Sequence, residues 1–164
     1  MDHSHSPDRS SDSLARLEDR WAITQLFHDY ALHFDRNQPE AVAELFAEDA
    51  VIDYGPEVAP IRGRNAIAPR IAAGLDQIFE ATSHHISNVS IDFDGGDAAS
   101  AVAYVYAWHK YRDGSPDGYL WGQYHNRLRR TADGWRFADL VLKAAGTAEF
   151  HRPTMHPIGR RAVS

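Results

Sequence analysis

The chain has 164 residues, 43% of them hydrophobic and 24% charged, which fits one globular domain with a proper core and excludes a disordered chain. The formal net charge of -6 argues against a partner built on a phosphate backbone, and the absence of cysteine excludes disulfides and thiolate metal sites. No apolar run is long enough to span a bilayer and no signal-like apolar core stands at the N-terminus, so a cytoplasmic protein is expected.

Residues 1–12 are polar and lack apolar periodicity, so they are expected to be a flexible tail. Residues 13–146 then carry the folded domain. Its first helix starts near Ser11 to Ser13, where short polar side chains can cap free N–H groups. Leu14, Leu17, Trp21, Thr24, Leu26, Phe27, Tyr30, Ala31 and Phe34 recur at helical spacing and predict one long amphipathic helix that lies on a surface. It ends around Asp35, where the helix dipole disfavours a carboxylate, so Asp35 calls for a compensating partner and a histidine would serve.

A short helix follows over residues 39–46, with Pro39 suited to its first turn, and a short strand over 50–54 stops at Gly55-Pro56. Residues 65–79 read as a third helix, kinked or started by Pro69 and weakened by Gly74. The pattern then turns to strands over 83–93, 99–111, 119–131 and 135–143, joined by turns at Gly95-Gly96, Gly114 to Gly118 and Asp133-Gly134. Helices first and an antiparallel meander after them define an α+β domain. Residues 147–164 form an irregular C-terminal tail.

Two strands carry the informative residues. The strand over 83–93 opens on His84 and His85, and the imidazole pKa lies nearest neutrality. Simple alternation from Val89, Ile91 and Phe93 puts His85, not His84, on the apolar face. His84 shares that face only if a bulge near Ser87 or Asn88 shifts the phase. The strand over 99–111 has one face of small residues ending in His109, with room for a helix or a ligand. Its other face carries Tyr104, Tyr106 and Trp108 and needs cover, from a second subunit or from the chain itself. Adjacent strand histidines point to opposite faces, so His84, His85 and His109 make a poor metal site, and no metal is expected. Arg127, Arg129 and Arg130 read as a solvated strand and turn rather than a nucleic-acid patch.

Five motifs occur in order: the helix ending Phe34-Asp35, then ELFAEDAVIDYG, a G-x-x-A-I helix, T-x-H-x-x-x-N and R-T-x-D-G-W-R-F. Together they resemble the SnoaL-like branch of the NTF2-like superfamily, and most closely its scytalone dehydratase, hexachlorocyclohexane dehydrochlorinase and bile-acid 7α-dehydratase types. The resemblance covers residues 14–145. It implies a cystatin-like cone, in which a curved antiparallel sheet wraps a long helix around a deep pocket. It also implies an Asp-His dyad on Asp35 and His84, with His109, Tyr54 and Tyr30 as further catalytic groups. The tyrosine that precedes the aspartate in scytalone dehydratase is Phe34 here. Phe34, Tyr124 and Asn126 are expected to touch substrate.

The implied function is a cofactor-free lyase, dehydratase-like, acting on a small cyclic hydroxy-carbonyl, aromatic or steroid-like substrate. An isomerase, a polyketide cyclase or a ligand-binding accessory subunit are alternatives on the same scaffold. By the same resemblance the protein is a homodimer or homotrimer, and its C-terminal tail folds over the pocket as a lid.

Overall fold

The long helix α1 (Arg9–Asp35) lies in the concave face of a seven-stranded sheet, in a computed structural model that describes residues 9–160. The expected tail over residues 1–12 therefore gives way to helix at Arg9, and its first eight residues lie outside the described residues. The helix ends in a left-handed residue, Asn37 at φ 53°, a conformation that asparagine tolerates better than most side chains. Around it, Asn37 and Gln38 donate backbone N–H groups to the carbonyls of Phe34 and His33.

The buried face of α1 begins at Ile23 and runs through Leu26, Phe27, Tyr30 and Ala31. Leu14, Leu17 and Trp21 were expected on it but stand 58%, 63% and 70% exposed. Their turns lie beyond the core and reach the sheet through polar and cation–π contacts, with Asp19 accepting from Arg130 and Trp135. Arg16 donates to Gly95 O and lies 4.2 Å from the Phe93 ring centroid, and Arg20 donates to Ile91 O.

Helix α2 (Pro39–Glu44) is two residues shorter than expected because Phe46 opens strand β1 (Phe46–Asp53), where its ring packs 5.2 Å from Phe137. A two-residue strand β2 (Ile61–Arg62) pairs with β1. Helix α3 (Arg64–Gln77) holds Pro69 in its interior and buries Ile67, Ile71 and Leu75. The strands β3 (Phe79–Asp94), β4 (Ala98–Tyr111), β5 (Gly118–Thr131) and β6 (Gly134–Ala148) form the expected meander, with sheet order β2-β1-β6-β5-β4-β3. The sheet is mixed rather than wholly antiparallel, since β1 runs parallel to β6. A final strand β7 (His156–Pro157), in the segment expected to be irregular, also runs parallel to β6.

The phase of β3 changes once in mid-strand. Ser87 pairs with Tyr104 and Ser90 with Val102, so three steps on β3 match two on β4. The extra residue falls at Asn88, whose φ is 49°. As a result His84 pairs with Ala107 and Ile91 with Ala101, two positions on the same buried face of β4. His85 pairs with Tyr106 on the outer face, its ring 5.9 Å from that tyrosine. The face of β4 made of Ala101, Ala103, Val105, Ala107 and His109 is buried against the interior, whereas Tyr104 and Tyr106 are exposed.

Arg127, Arg129 and Arg130 are ion-paired rather than simply solvated. Arg127 meets Asp139, Arg129 meets Asp49, and Arg130 meets Asp19 and Asp97. No helix among the described residues is long and apolar enough to cross a membrane.

Candidate active site

The end of α1 and the start of β3 meet at Asp35. Its Oδ1 lies 2.6 Å from His84 Nδ1 and accepts the Thr82 hydroxyl at 2.8 Å, and its Oδ2 accepts the His84 backbone N–H at 2.8 Å. Thr82 and His84 are two residues apart, so a pleated strand aims both at the same carboxylate. Burial pushes the Asp35 carboxyl up, but the bonds from the His84 ring and backbone and from Thr82 outweigh it and hold the group below the ordinary carboxylate value. These three donors are the compensation that a carboxylate at a helix C-terminus requires.

The His84 side chain is 6% exposed. An ionised carboxylate only accepts, so Nδ1 carries a proton, and in the neutral ring Nε2 is then the acceptor. The ring is a wall of a narrow chamber of about 50 Å³. Phe34 stands edge-on to it at 4.9 Å, and His109 lies 5.4 Å away.

His109 projects from β4 into the same chamber and is stacked between Phe79 and Phe150, at 4.7 and 5.3 Å. Burial first, and then the neighbouring His84, His151 and Arg152, drive its pKa down to about 2. His109 is therefore neutral at physiological pH and can donate one N–H without carrying charge. Its Nδ1 is buried with no hydrogen-bond partner among the described residues.

Tyr30 from α1 and Tyr54 from the end of β1 share a 2.6 Å hydrogen bond between hydroxyls, and the Tyr124 ring lies 5.5 Å from Tyr30. All three line the chamber. Burial raises all three phenols, Tyr54 to about 12, so each stays protonated. In a chain of hydroxyls the last O–H always remains for a further acceptor.

The structure thus gathers Asp35, His84, His109, Tyr30, Tyr54, Phe34 and Tyr124 around one cavity or its wall. Asn126 is the exception. It sits on the inner face of β5, two residues beyond Tyr124, but it is buried opposite Ala101 and Leu140 and does not line the chamber. His28, His33 and His125, read as surface or packing residues, stand outside the chamber, where His33 pairs with Gln38 and His125 with Gln123.

Sequence reasoning placed no residue of the C-terminal tail among the site residues, yet three of the thirteen that line the chamber come from it. Residues 149–157 form a strap that runs from the end of β6 across the mouth and back to β1, and Phe150, His151 and Arg152 reach the chamber from it. The Tyr111 hydroxyl clamps the strap by donating to Glu149 O at 3.1 Å and accepting from His151 N at 2.9 Å. Gly118 makes room for that hydroxyl, because a Cβ there would stand 2.0 Å from it. Arg152 donates to Tyr54 O, Thr154 N to Glu57, and His156 Nε2 lies 3.0 Å from Asp53. Burial and the adjacent Arg152 hold the His151 pKa down to about 3. The tail carries no periodicity, and its expected place over the pocket rests on the family resemblance alone. Outside the strap, a wider vestibule of about 310 Å³ opens between α3 and the loop after β1, sharing Phe34, Tyr54, His151 and Arg152 with the chamber.

A long helix held in a curved, unclosed mixed sheet, with a chamber at its open end, is the NTF2-like, cystatin-like fold. The chain belongs to the SnoaL-like domain family, whose profile matches residues 15–141. An uncharacterised protein of Mycobacterium tuberculosis strain H37Rv is 31% identical over 132 residues, 79% of this chain and 87% of its own. A crystal structure from Novosphingobium aromaticivorans DSM 12444, provisionally named a scytalone dehydratase, is 35% identical. It superposes with a TM-score of 0.85 over 92% of this chain and 99% of that one. Hexachlorocyclohexane dehydrochlorinase LinA-type3 of Novosphingobium barchaimii LL02 shares the fold, with a TM-score of 0.77 at 18% identity over 90% and 99% of the two chains. Fold and neighbours support a chamber that binds a small molecule.

Proposed function

We propose that the protein is a cofactor-free, dehydratase-like carbon–oxygen lyase that acts on a small cyclic hydroxy-carbonyl compound through an Asp35-His84 dyad. The observation that carries this reading is the Nδ1 contact of His84 with Asp35, which leaves a basic Nε2 on a ring that walls the chamber. A structural neighbour at 35% identity, the provisional scytalone dehydratase, supports the same reaction class.

In this mechanism His84 Nε2 removes the proton alpha to the carbonyl, and the C–H electron pair becomes an enolate. Asp35 stabilises the imidazolium that forms and fixes its orientation. The free O–H of the Tyr30–Tyr54 pair donates to the enolate oxygen. The enolate then collapses, the carbon–oxygen bond at the beta carbon breaks, and the imidazolium returns its proton to the departing hydroxide as water. His109 assists as a neutral donor to the leaving oxygen, since burial forbids it a charge. Acid–base help of this kind is worth about 10²–10⁴-fold. The strap closes the mouth as a lid and keeps the reaction away from bulk water.

The test is a panel of cyclic β-hydroxy-ketones followed by mass spectrometry in H2O and D2O. A lyase releases product lighter by one water. Product of unchanged mass with solvent deuterium at the alpha carbon identifies an isomerase or cyclase instead, and neither change refutes proton transfer on these substrates.

The same reading takes the protein as a cytoplasmic homodimer or homotrimer, with subunits meeting across the outer face of β4 that carries Tyr104, Tyr106 and Trp108, of which the two tyrosines are exposed. Light scattering behind size exclusion checks the stoichiometry, and a monomeric mass refutes it.

A further inference from the structure

The strap brings one fixed positive charge to the neck between chamber and vestibule. Arg152 lines both cavities. Among the described residues no carboxylate pairs with it. Its one hydrogen bond is a long one, Nη1 to Tyr54 O at 3.3 Å, and its guanidinium carbon lies 5.5 Å from the Tyr54 ring centroid. A guanidinium has five N–H donors. None of the Arg152 nitrogens is among the sealed-off, unpartnered atoms of the described residues, so its spare donors open onto the cavities.

The surroundings leave that charge uncompensated. His109 and His151 are held neutral by burial. Asp35 is engaged by Thr82 and His84. Arg70 stands on the vestibule wall and adds a second positive charge. Glu57, the carboxylate on that wall, accepts the Thr154 backbone N–H. A partly desolvated cation without a counter-ion costs free energy, and the planar fork of arginine matches a carboxylate in geometry and charge. The site therefore lacks an anion at the neck.

We propose that Arg152 is a specificity-determining residue that receives a carboxylate carried by the substrate, with the substrate ring lying inward against Phe34, Phe79 and Phe150. This rests on the chamber being the substrate site, and it narrows the substrate class from neutral cyclic hydroxy-carbonyls to their ring-carboxylate forms.

Isothermal titration of the full chain with 2-naphthoate and its neutral isostere 2-naphthamide tests it without needing turnover. Naphthoate is expected to bind about tenfold or more tightly than the amide, the scale of one charge-assisted hydrogen bond. Arg152→Gln should abolish that preference while leaving naphthamide affinity unchanged, and Arg152→Lys should keep part of it. Equal binding of the two probes by the wild type, or a naphthoate preference that survives in Arg152→Gln, overturns the assignment. If both probes bind equally and Phe34→Trp expels them, the chamber reading stands and only Arg152 loses its role. If neither probe binds, both readings fall.

Discussion

His109→Phe separates a buried neutral imidazole from an ordinary one. The folded protein holds His109 near a pKa of about 2, because the ring sits among Phe79, Phe150 and His84 at 5% exposure. The unfolded chain titrates it near the ordinary value of about 6.5. The folded pKa is the lower one, so the unfolded state takes the proton first as pH falls. Stability is then complete above about pH 6.5 and is lost progressively toward the folded value. Between pH 7.5 and 5.0 this one residue removes about 2 kcal/mol, from about 1.36 kcal/mol per unit over the range in which only the unfolded state is protonated. Phenylalanine keeps the ring contacts and removes the titration. Urea unfolding at pH 7.5, 6.5, 5.5 and 5.0 reads the slope, so any packing change in the variant cancels. The variant should lose about 2 kcal/mol less than wild type over this range, while the contribution of His151 remains in both. Parallel pH profiles for the two proteins would refute the burial argument.

Three further outcomes follow from named contacts. Gly118→Ala places a Cβ on the Tyr111 hydroxyl and should free the strap, which faster proteolytic cleavage near Glu149 would reveal; unchanged cleavage contradicts the clamp. Asn88→Ile should cost about 1–2 kcal/mol because a β-branched residue resists positive φ, whereas Asn88→Gly should be neutral or stabilising in the same unfolding assay. Thr82→Val removes one of three donors to Asp35 and should raise the carboxyl pKa, read by carbon-13 NMR of the side chain, with about 1 kcal/mol of stability lost.

Much of this arrangement was legible before any coordinates, because it is local. The periodicity from Leu26 to Phe34 and the aromatic-Asp ending place α1, and the turn residues place the four long strands. The register conflict between His84 and Val89-Ile91-Phe93 pointed to a bulge, and the extra residue at Asn88 puts His84 and Ile91 on one face. What was not legible depends on long-range partners. The apolar spacing of Leu14, Leu17 and Trp21 says that a face exists, not that a surface lies beneath it. The parallel pairing of β1 with β6 has no local signature. The strap has no period at all, and its course follows from single contacts such as Tyr111 with Glu149 and Arg152 with Tyr54. Asn126 shows the opposite failure, since its position on the inner face was readable but not its burial away from the chamber wall.

The most direct test of the account is a double-mutant cycle on turnover of whichever hydroxy-ketone the panel identifies, with kcat/KM measured for Asp35→Asn, His84→Gln and the pair. If the two side chains act as one proton-transfer unit, each single variant loses about 10²–10⁴-fold and the double variant loses little more than the worse single one. Either single variant turning over at the wild-type rate, or losses that multiply as for independent residues, contradicts it.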